Sequence, residues 1–341
     1  MAWTKPQHSR EEVNQAGKLL VTASTNDIKY EKALSIINNW RSSHAYPLNI
    51  FQNQLRRMSK SIDSTCLIAQ RIKRLSSITS KLERLEDMKL SQMQDLGGCR
   101  SILKSVDDVY KVMTLFKKSR IKHKQANFDD YIVSPKSSGY RGIHLNYKYL
   151  SDRQKTYNNL KIEIQIRSQS QHAWATAVEV VGTLLRQALK SSKGEADWLR
   201  FFALMSTAIA GIEKTPPVPN TPTDEVELVT ELRVYAKKLD VLHRLETYGN
   251  ALKTMDASLG DAQYYLLKLD PVLNQIEVIG FKKNQLDEAS NAYLDIEQKL
   301  SNEGAEAVLV SVESVQTLKR AYPNYFLDTK VFSSLISKII T

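Results

Sequence analysis

The segment LKIEIQIRS at residues 160–168 constrains the fold more than any other, because apolar and polar residues alternate strictly along it. Successive side chains of a β-strand point to opposite faces of the sheet. The pattern therefore predicts a strand with an isoleucine face in the core. Its opposite face carries Lys161, Glu163, Gln165 and Arg167. On this segment alone, an ordinary amphipathic surface strand is an equal alternative.

Other strand patterns lie at residues 100–106, 130–134 and 143–150, with helical patterns between and after them. The chain from Ser9 to about Leu75 has apolar residues at helical spacing. Strands and helices mixed in this way predict an α+β fold, a mixed β-sheet flanked by helices.

Four of the nine prolines lie in TPPVPNTPT, which predicts a stiff linker at a domain boundary. A long helix is predicted from about Asp224 to Ala257, followed by three strands, YYLLKLD, QIEVIGF and AVLVSV, and an acidic helix. The predicted organisation is a helical lead-in over 1–59, a catalytic domain over 60–214, the linker over 215–223 and a smaller C-terminal α/β module over 224–341.

Charge is distributed unevenly along the chain. Residues 1–214 contain 35 Lys and Arg against 19 Asp and Glu, whereas residues 215–341 contain 13 against 18. A basic catalytic part suits a polyanionic substrate such as a nucleotide or nucleic acid, although a solvated basic surface is the simpler alternative. No apolar run approaches a membrane span, and Cys66 and Cys99 lack metal-ligand spacing. We therefore expect a cytoplasmic protein without disulfides, structural zinc or a membrane anchor.

Two carboxylates are candidate magnesium ligands. Asp95 precedes the glycine pair of QDLGGCR, a turn that allows a ligand to approach the backbone, and Glu163 lies on the polar strand face. Mg²⁺ prefers a few carboxylate oxygens together with substrate phosphates. A turn with no ligand is the commoner role for such a sequence.

Two basic segments could bind phosphates. The first, QRIKRLSSITSKL, surrounds a helix start that Ser76 and Ser77 are predicted to cap. The second, YIVSPKSSGYRGIH, is a predicted turn between strands that carries an aromatic ring and two cations, a combination able to stack a base. Solvated surface segments are the alternatives in both cases.

These segments, in this order, resemble the four motifs of RelA/SpoT synthetase domains. RIKRLSSITSKL is similar to the family's RxK…SIxxKL element and QDLGGCR to its DxxGxR element. YIVSPKSSGYRGIH is similar to its YxxxPKxxGYRSxH loop, and IEIQIRS to its VEIQIRT strand. The resemblance covers residues 60–185 and implies a nucleotidyltransferase-like synthetase domain.

The resemblance also implies roles for individual residues. The ATP site would consist of Arg71 and Arg100 around adenine, with Lys73, Ser77 and Lys81 on the phosphates. Asp95 and Glu163 would bind Mg²⁺, and Glu163 is also the candidate base. The acceptor site would consist of Lys136, Tyr140, Arg141, His144, Gln165 and Arg167, with Tyr140 stacked on the base. Trp174 and Glu179 resemble residues of the helix that follows in the family.

The implied reaction transfers the β,γ-pyrophosphate of ATP to the 3′-hydroxyl of GDP or GTP and releases AMP. A second acceptor, the 3′ end of tRNA, is implied by the toxic small synthetases of the family. Gly142 and Ser168 stand where the family usually has Ser and Thr, which leaves acceptor choice open. A catalytically inactive nucleotide-binding regulator and a template-independent nucleotidyltransferase are further alternatives.

The sequence contains no His-Asp dipeptide of the family's hydrolase domain, so we expect synthesis without hydrolysis. For residues 224–341, oligomerisation or packing against the catalytic domain is the simplest role. An acidic lid over the basic catalytic part is the alternative, as in family members that fuse a toxin to its antitoxin.

Overall fold

The computed structural model describes most of the 341-residue chain. The described residues are 3–24, 27–188, 195–251, 253–256, 262–270, 275–282, 284–300, 306–312, 315–324, 326 and 328–340. No helix within these ranges has the length and apolar content needed to cross a membrane. Cys66 and Cys99 are both buried as separate thiols.

Within the described residues, three helices come first, and four consecutive helices separate the first five strands from the last four. The helices are α1 (Arg10–Thr22), α2 (Ile28–Ser43), α3 (Ala45–Ile62), α4 (Leu75–Arg84), α5 (Val106–Lys118), α6 (Gln169–Ala188), α7 (Glu195–Glu213), α8 (Glu225–Lys238), α9 (Val241–Ala251), α10 (Leu286–Leu300), α11 (Val315–Ala321) and α12 (Lys330–Ile340). The strands are β1 (Leu67–Ile72), β2 (Gly97–Leu103), β3 (Lys124–Asp130), β4 (Ile143–Lys148), β5 (Lys161–Ser168), β6 (Lys253–Asp256), β7 (Tyr264–Asp270), β8 (Gln275–Phe281) and β9 (Glu306–Ser311).

All strands of the described residues form one mixed sheet in the order β3-β4-β5-β2-β1-β9-β7-β8-β6. β2 and β5 are parallel, as are β6 and β8, and the other neighbours are antiparallel. The predicted α+β class, a mixed sheet flanked by helices, is confirmed. The C-terminal strands continue this sheet, because β9 pairs with β1 at Gln70↔Ser311 and Arg71↔Val310.

The alternating segment forms β5 as predicted. Ile162, Ile164 and Ile166 are fully buried in the main core beneath α3 and α5, where Leu55 and Val109 also lie. A second core joins the two halves of the chain, because Phe332 and Ile336 of α12 belong to the same buried cluster as side chains of α6 and α7. The C-terminal helix thus packs directly against the helices that follow β5.

Four sequence predictions about local structure were wrong. The helical lead-in ends at Ile62, and Leu67–Ile72 forms β1, since pairing with β2 overrides its helix-like spacing. The strand β3 ends at Asp130, and residues 131–134 form a turn instead of the predicted strand. Helix α4 begins at Leu75 with Arg74 before it, so Ser76 and Ser77 lie inside the helix and do not cap it. The long helix from Asp224 is divided into α8 and α9.

The proline-rich segment 215–223 has no helix or strand, as expected, but it packs against α7. Val218 is buried, and its backbone N–H donates to Thr207 Oγ1 at 3.0 Å. The domain boundaries proposed around this segment remain a prediction.

Candidate functional site

The polar face of the sheet forms the floor of the site. Gly98 and Arg100 of β2 are aligned with Glu163 and Gln165 of β5. On the other side of β5, Gln165 is paired with His144 of β4. Because registered residues share a face of the sheet, these side chains lie in adjoining rows. The alternation in residues 160–168 therefore predicted the floor correctly.

A cavity of about 510 Å³ opens above this floor. The predicted site residues that line it are Arg71, Lys81, Asp95, Arg100, Lys136, Tyr140, His144, Glu163, Gln165, Arg167 and Glu179. A smaller cavity of about 60 Å³ adjoins it and is lined by Lys73 together with Arg71, Asp95, Arg100 and Glu163. Ser77 and Arg141 line neither of these cavities.

Asp95 lies between the two lysines that the sequence assigned to ATP. Its carboxylate accepts from Lys73 Nζ at 2.7 Å and from Lys81 Nζ at 3.0 Å. Burial raises the pKa of the Asp95 carboxyl, but the two ammonium groups outweigh it and hold that pKa below its ordinary value. Asp95 is therefore ionised at neutral pH, and it holds both ammonium groups beside it.

Glu163 is the centre of a hydrogen-bonded row. Its Oε1 lies 3.0 Å from His144 Nδ1, and its Oε2 accepts from Gln165 Nε2 at 2.7 Å. Burial raises the pKa of the Glu163 carboxyl, but the contacts with His144 and Gln165 keep it below its ordinary value. The row continues to Tyr140, whose hydroxyl lies 2.5 Å from His144 Nε2 and accepts from Arg167 at 2.5 Å.

The two carboxylates fit a magnesium site. Asp95 and Glu163 line both cavities. They lie close enough together for the charge of Asp95 to raise the pKa of Glu163. Within the described chain, no three His, Cys, Asp or Glu side chains converge as a metal site. Two carboxylates suffice for Mg²⁺, which usually keeps water and substrate phosphates as its other ligands.

Tyr322, directly after the end of α11, enters the predicted ATP site. The Tyr322 ring lies 4.9 Å from the guanidinium carbon of Arg100, and its hydroxyl donates to the carbonyl of Gln70 at 2.9 Å. Tyr322 also lines the smaller cavity beside Arg71 and Lys73. The Tyr322 ring therefore covers one face of the Arg100 guanidinium, which the sequence assigned to adenine.

A second C-terminal residue binds the start of α4. Glu297 of α10 accepts from the backbone N–H of Leu75 at 2.6 Å and forms an ion pair with buried Arg41 at 2.7 Å. Arg41 in turn donates to the carbonyl of Lys73 at 2.8 Å. The helix N-terminus proposed as a phosphate site is therefore occupied by a carboxylate of α10.

In the loop YIVSPKSSGYRGIH, Lys136 and Tyr140 line the large cavity, whereas Arg141 does not. Arg141 is 3% exposed and donates to Ser206 Oγ at 2.9 Å and to the carbonyl of Pro216 at 2.7 Å. Ser206 Oγ also donates to the carbonyl of Gly139 at 2.6 Å. In this structure Arg141 therefore links the loop to α7 and to the proline-rich segment, and its contact with an acceptor stays a prediction.

Replacing Arg141 with Lys should raise the KM for the acceptor about tenfold, because at least one charged hydrogen bond that holds the loop is lost. The KM for ATP should change less. Steady-state rates with each substrate varied in turn measure this difference. Arg200→Lys, a matched change in an arginine paired with Glu231 at 2.7 Å, serves as the control. An equal rise in both KM values would contradict the positioning role.

The departures from the family pattern lie near the same loop. Gly142 has φ +144°, and a Cβ there would lie 3.1 Å from Arg167 Cγ, so a serine would be strained and would crowd Arg167. Ser168 is fully buried and donates to Glu213. Trp174 is buried behind Gly139 and donates to the carbonyl of Phe202 at 2.8 Å, which makes its role structural.

Sequence reasoning missed several residues of the site. Asn146 lies opposite Glu163 on β4 and lines the large cavity, and its Oδ1 has no hydrogen-bond partner. Alternation along β4 from His144 could have identified it. Arg41, Glu297 and Tyr322 are distant in sequence from every motif, so only the folded chain shows them at the ATP site.

Comparison with known proteins matches residues 70–180 to the family described as a region found in RelA / SpoT proteins. The GTP pyrophosphokinases YwaC and YjbM of Bacillus subtilis (strain 168) are 31% and 32% identical over 112 and 111 residues, which are 31% and 32% of this chain. The chain spans about half the length of these relatives, 52% of each. Small alarmone synthetase 1 from Bacillus subtilis, solved with its product pppGpp, aligns at 23% identity over 55% of this chain and 94% of that chain, with a TM-score of 0.43.

Proposed function

From the RelA/SpoT region that this chain carries over residues 70–180, we propose that the protein is an ATP-dependent pyrophosphokinase that acts on a ribose 3′-hydroxyl. The observation that supports it best is one cavity that holds Asp95 and Glu163 together with Arg71, Lys81 and Tyr140. Phosphate-binding cations, two metal-binding carboxylates and an aromatic ring for a base are the groups that this transfer needs.

The proposed reaction gives each group of cavity residues a separate role. Lys73 and Lys81 would bind the triphosphate as it displaces them from Asp95, and Arg71 would hold the adenine. Bound Mg²⁺ at Asp95 and Glu163 would offset charge on the phosphates. Glu163, which is ionised, would accept the proton of the acceptor hydroxyl as its oxygen bonds to the β-phosphorus. The bond from the β-phosphorus to the α-phosphate oxygen breaks, and AMP leaves.

For the acceptor we favour GDP or GTP, as the names of the relatives suggest for those proteins. Tyr140 would stack on the base, with Lys136, His144, Gln165 and Arg167 near the ribose and phosphates. The 3′ end of tRNA is the second candidate, supported by the excess of basic residues in residues 1–214. An inactive regulator fits less well, because Asp95, Glu163 and Tyr140 all face the cavity.

A labelling experiment tests this function. We expect purified protein with Mg²⁺ and γ-³²P-ATP to move label onto one acceptor when GDP, GTP, ATP and deacylated tRNA are offered separately. Thin-layer chromatography and gel electrophoresis separate the products, and AMP should form in equal amount. Pyrophosphate in place of AMP would indicate a nucleotidyltransferase. If neither the full chain nor its Tyr322→Ala variant transfers label to any acceptor, the proposal is contradicted.

We also propose that the C-terminal strands and helices restrain this activity. Tyr322 covers Arg100, and Glu297 binds the α4 N-terminus, so ATP could not take either position while these contacts persist. Both contacts must open for the proposed reaction. Restraint of this kind is compatible with either acceptor.

A further inference from the structure

Asn146 is a buried polar residue beside Glu163 that no step of the proposed reaction uses. It lies on β4 directly opposite Glu163 of β5, and only 3% of its surface is exposed. Its Oδ1 atom has no hydrogen-bond partner among the described residues, although the side chain lines the large cavity. Residues directly opposite each other in an antiparallel pair have Cβ atoms about 5 Å apart. The Asn146 amide therefore borders the cavity next to the Glu163 carboxylate.

The position of Asn146 is unfavourable for the fold alone. A buried polar atom without a hydrogen bond lowers stability, whereas an apolar side chain of similar shape would not. Two donors at neighbouring strand positions are engaged elsewhere. Asn127 Nδ2 donates to Asp129 at 2.9 Å, and Lys161 Nζ donates to the carbonyl of Gln92 at 2.8 Å. An asparagine at this position therefore indicates a donor that comes from outside the chain.

The order of the strands places Asn146 on the acceptor side of Glu163. Asp95 precedes β2, which lies on one side of β5, whereas Asn146 lies on β4, on the other side. β4 also contributes His144, which contacts both Glu163 and the Tyr140 hydroxyl of the proposed acceptor site. Asn146 is thus separated from Asp95, with which Glu163 would bind the metal, and adjoins the groups that would bind the acceptor.

The ribose of an acceptor supplies donors for both side chains. Its 2′- and 3′-hydroxyls lie on adjacent carbons, and Asn146 Oδ1 and the Glu163 carboxylate are hydrogen-bond acceptors side by side. Each Glu163 oxygen has one contact, to His144 or to Gln165, and can accept a further hydrogen bond.

We propose that Asn146 accepts a hydrogen bond from the 2′-hydroxyl of the acceptor ribose while Glu163 contacts the 3′-hydroxyl. Asn146 then selects ribonucleotides over 2′-deoxyribonucleotides. A buried group that pairs with a substrate hydroxyl discriminates against an analogue without it, because the group is then left unpaired. This inference rests on the proposed function and applies to either candidate acceptor.

The test pairs each candidate acceptor with its 2′-deoxy form: GDP with 2′-deoxy-GDP, and tRNA with tRNA that ends in 2′-deoxyadenosine. We expect wild-type protein to prefer the ribose form by about tenfold or more in kcat/KM. In Asn146→Leu, kcat/KM for the ribose form should fall about tenfold and that for the 2′-deoxy form should change little. Asn146→Ala, which cannot crowd the cavity, should show the same loss of preference. Asn53→Leu, at an exposed position on α3, is the control and should keep the wild-type preference.

Stability provides a second readout. Asn146→Leu should unfold at the wild-type temperature or above it, because it removes an unpaired buried polar atom. No preference in wild-type protein would overturn the inference. So would an equal fall in kcat/KM for both sugar forms, which describes a residue that only positions Glu163.

Calorimetric titration with the same ribose and 2′-deoxy acceptors separates this inference from the proposed function. If no acceptor is labelled, the proposed function is contradicted, and binding alone then decides the role of Asn146. A binding preference for the ribose form that Asn146→Leu removes would support the 2′-hydroxyl contact. Equal binding of the two sugar forms by wild-type protein would overturn it.

Discussion

Glu163→Gln should lower the rate of pyrophosphate transfer by roughly 10²–10⁴-fold, because it removes the proposed proton acceptor and one of two metal carboxylates. The substitution keeps the shape of the side chain, and its remaining carbonyl oxygen can still accept a hydrogen bond from His144 or Gln165. The fold should therefore survive. Single-turnover transfer from γ-³²P-ATP to the preferred acceptor, at saturating ATP, measures the effect.

The control is Glu83→Gln, which neutralises an exposed carboxylate on α4. It should retain the wild-type rate. Thermal unfolding of both variants checks that lost activity is not lost structure. Transfer at the wild-type rate by folded Glu163→Gln would remove Glu163 from the chemistry. Asp95→Asn provides a second readout, since it removes the other proposed metal carboxylate, which Lys73 and Lys81 contact, and should also lower turnover.

The sequence predicted the site best where a residue's neighbours are close in sequence. The alternation in residues 160–168 placed Glu163, Gln165 and Arg167 on one face, because strand geometry alone fixes that relation. The glycine turn placed Asp95 beside this strand once β2 and β5 paired. These local rules do not need the rest of the fold.

Sequence reasoning is weakest where tertiary contacts determine the position of a residue. Arg141 lies between two cavity-lining candidates in the loop, yet its side chain is drawn inward by Ser206 and Pro216, which are distant in sequence. β1 resembles helix in its spacing and becomes a strand because β2 and β9 flank it. Charge composition suggested an acidic module over a basic domain, but it could not identify Glu297 or Tyr322 as the contacting residues.

The contacts of Glu297 and Tyr322 also determine how the proposed restraint of activity by the C-terminal part of the chain can be tested. Deleting residues 224–341 would remove α12, whose Phe332 and Ile336 share a core with α6 and α7. It would also expose the edge of β1 that β9 covers. Lost activity after such a deletion would report a damaged catalytic domain as readily as a missing activator. Single substitutions at the ATP site avoid this ambiguity.

Tyr322→Ala should lower the KM for ATP by tenfold or more, because it uncovers the guanidinium of Arg100 for adenine. Tyr322→Phe is the matched control, since it keeps the ring over Arg100 and loses only the hydrogen bond to Gln70. It should remain restrained. Initial rates at varied ATP, with ATP affinity from calorimetry, measure the difference between the two variants.

Replacing a fully buried tyrosine with alanine also leaves a cavity, which lowers the free energy of unfolding by roughly 3–5 kcal/mol. A second variant that weakens the restraint without creating a cavity is therefore needed. Glu297→Gln weakens the buried ion pair with Arg41 and the contact at the start of α4, and it leaves the ring over Arg100 in place. If the C-terminal strands and helices restrain the enzyme, both Tyr322→Ala and Glu297→Gln should strengthen ATP binding. If neither does so while both stay folded, Tyr322 and Glu297 are packing residues, and the C-terminal part of the chain serves stability alone.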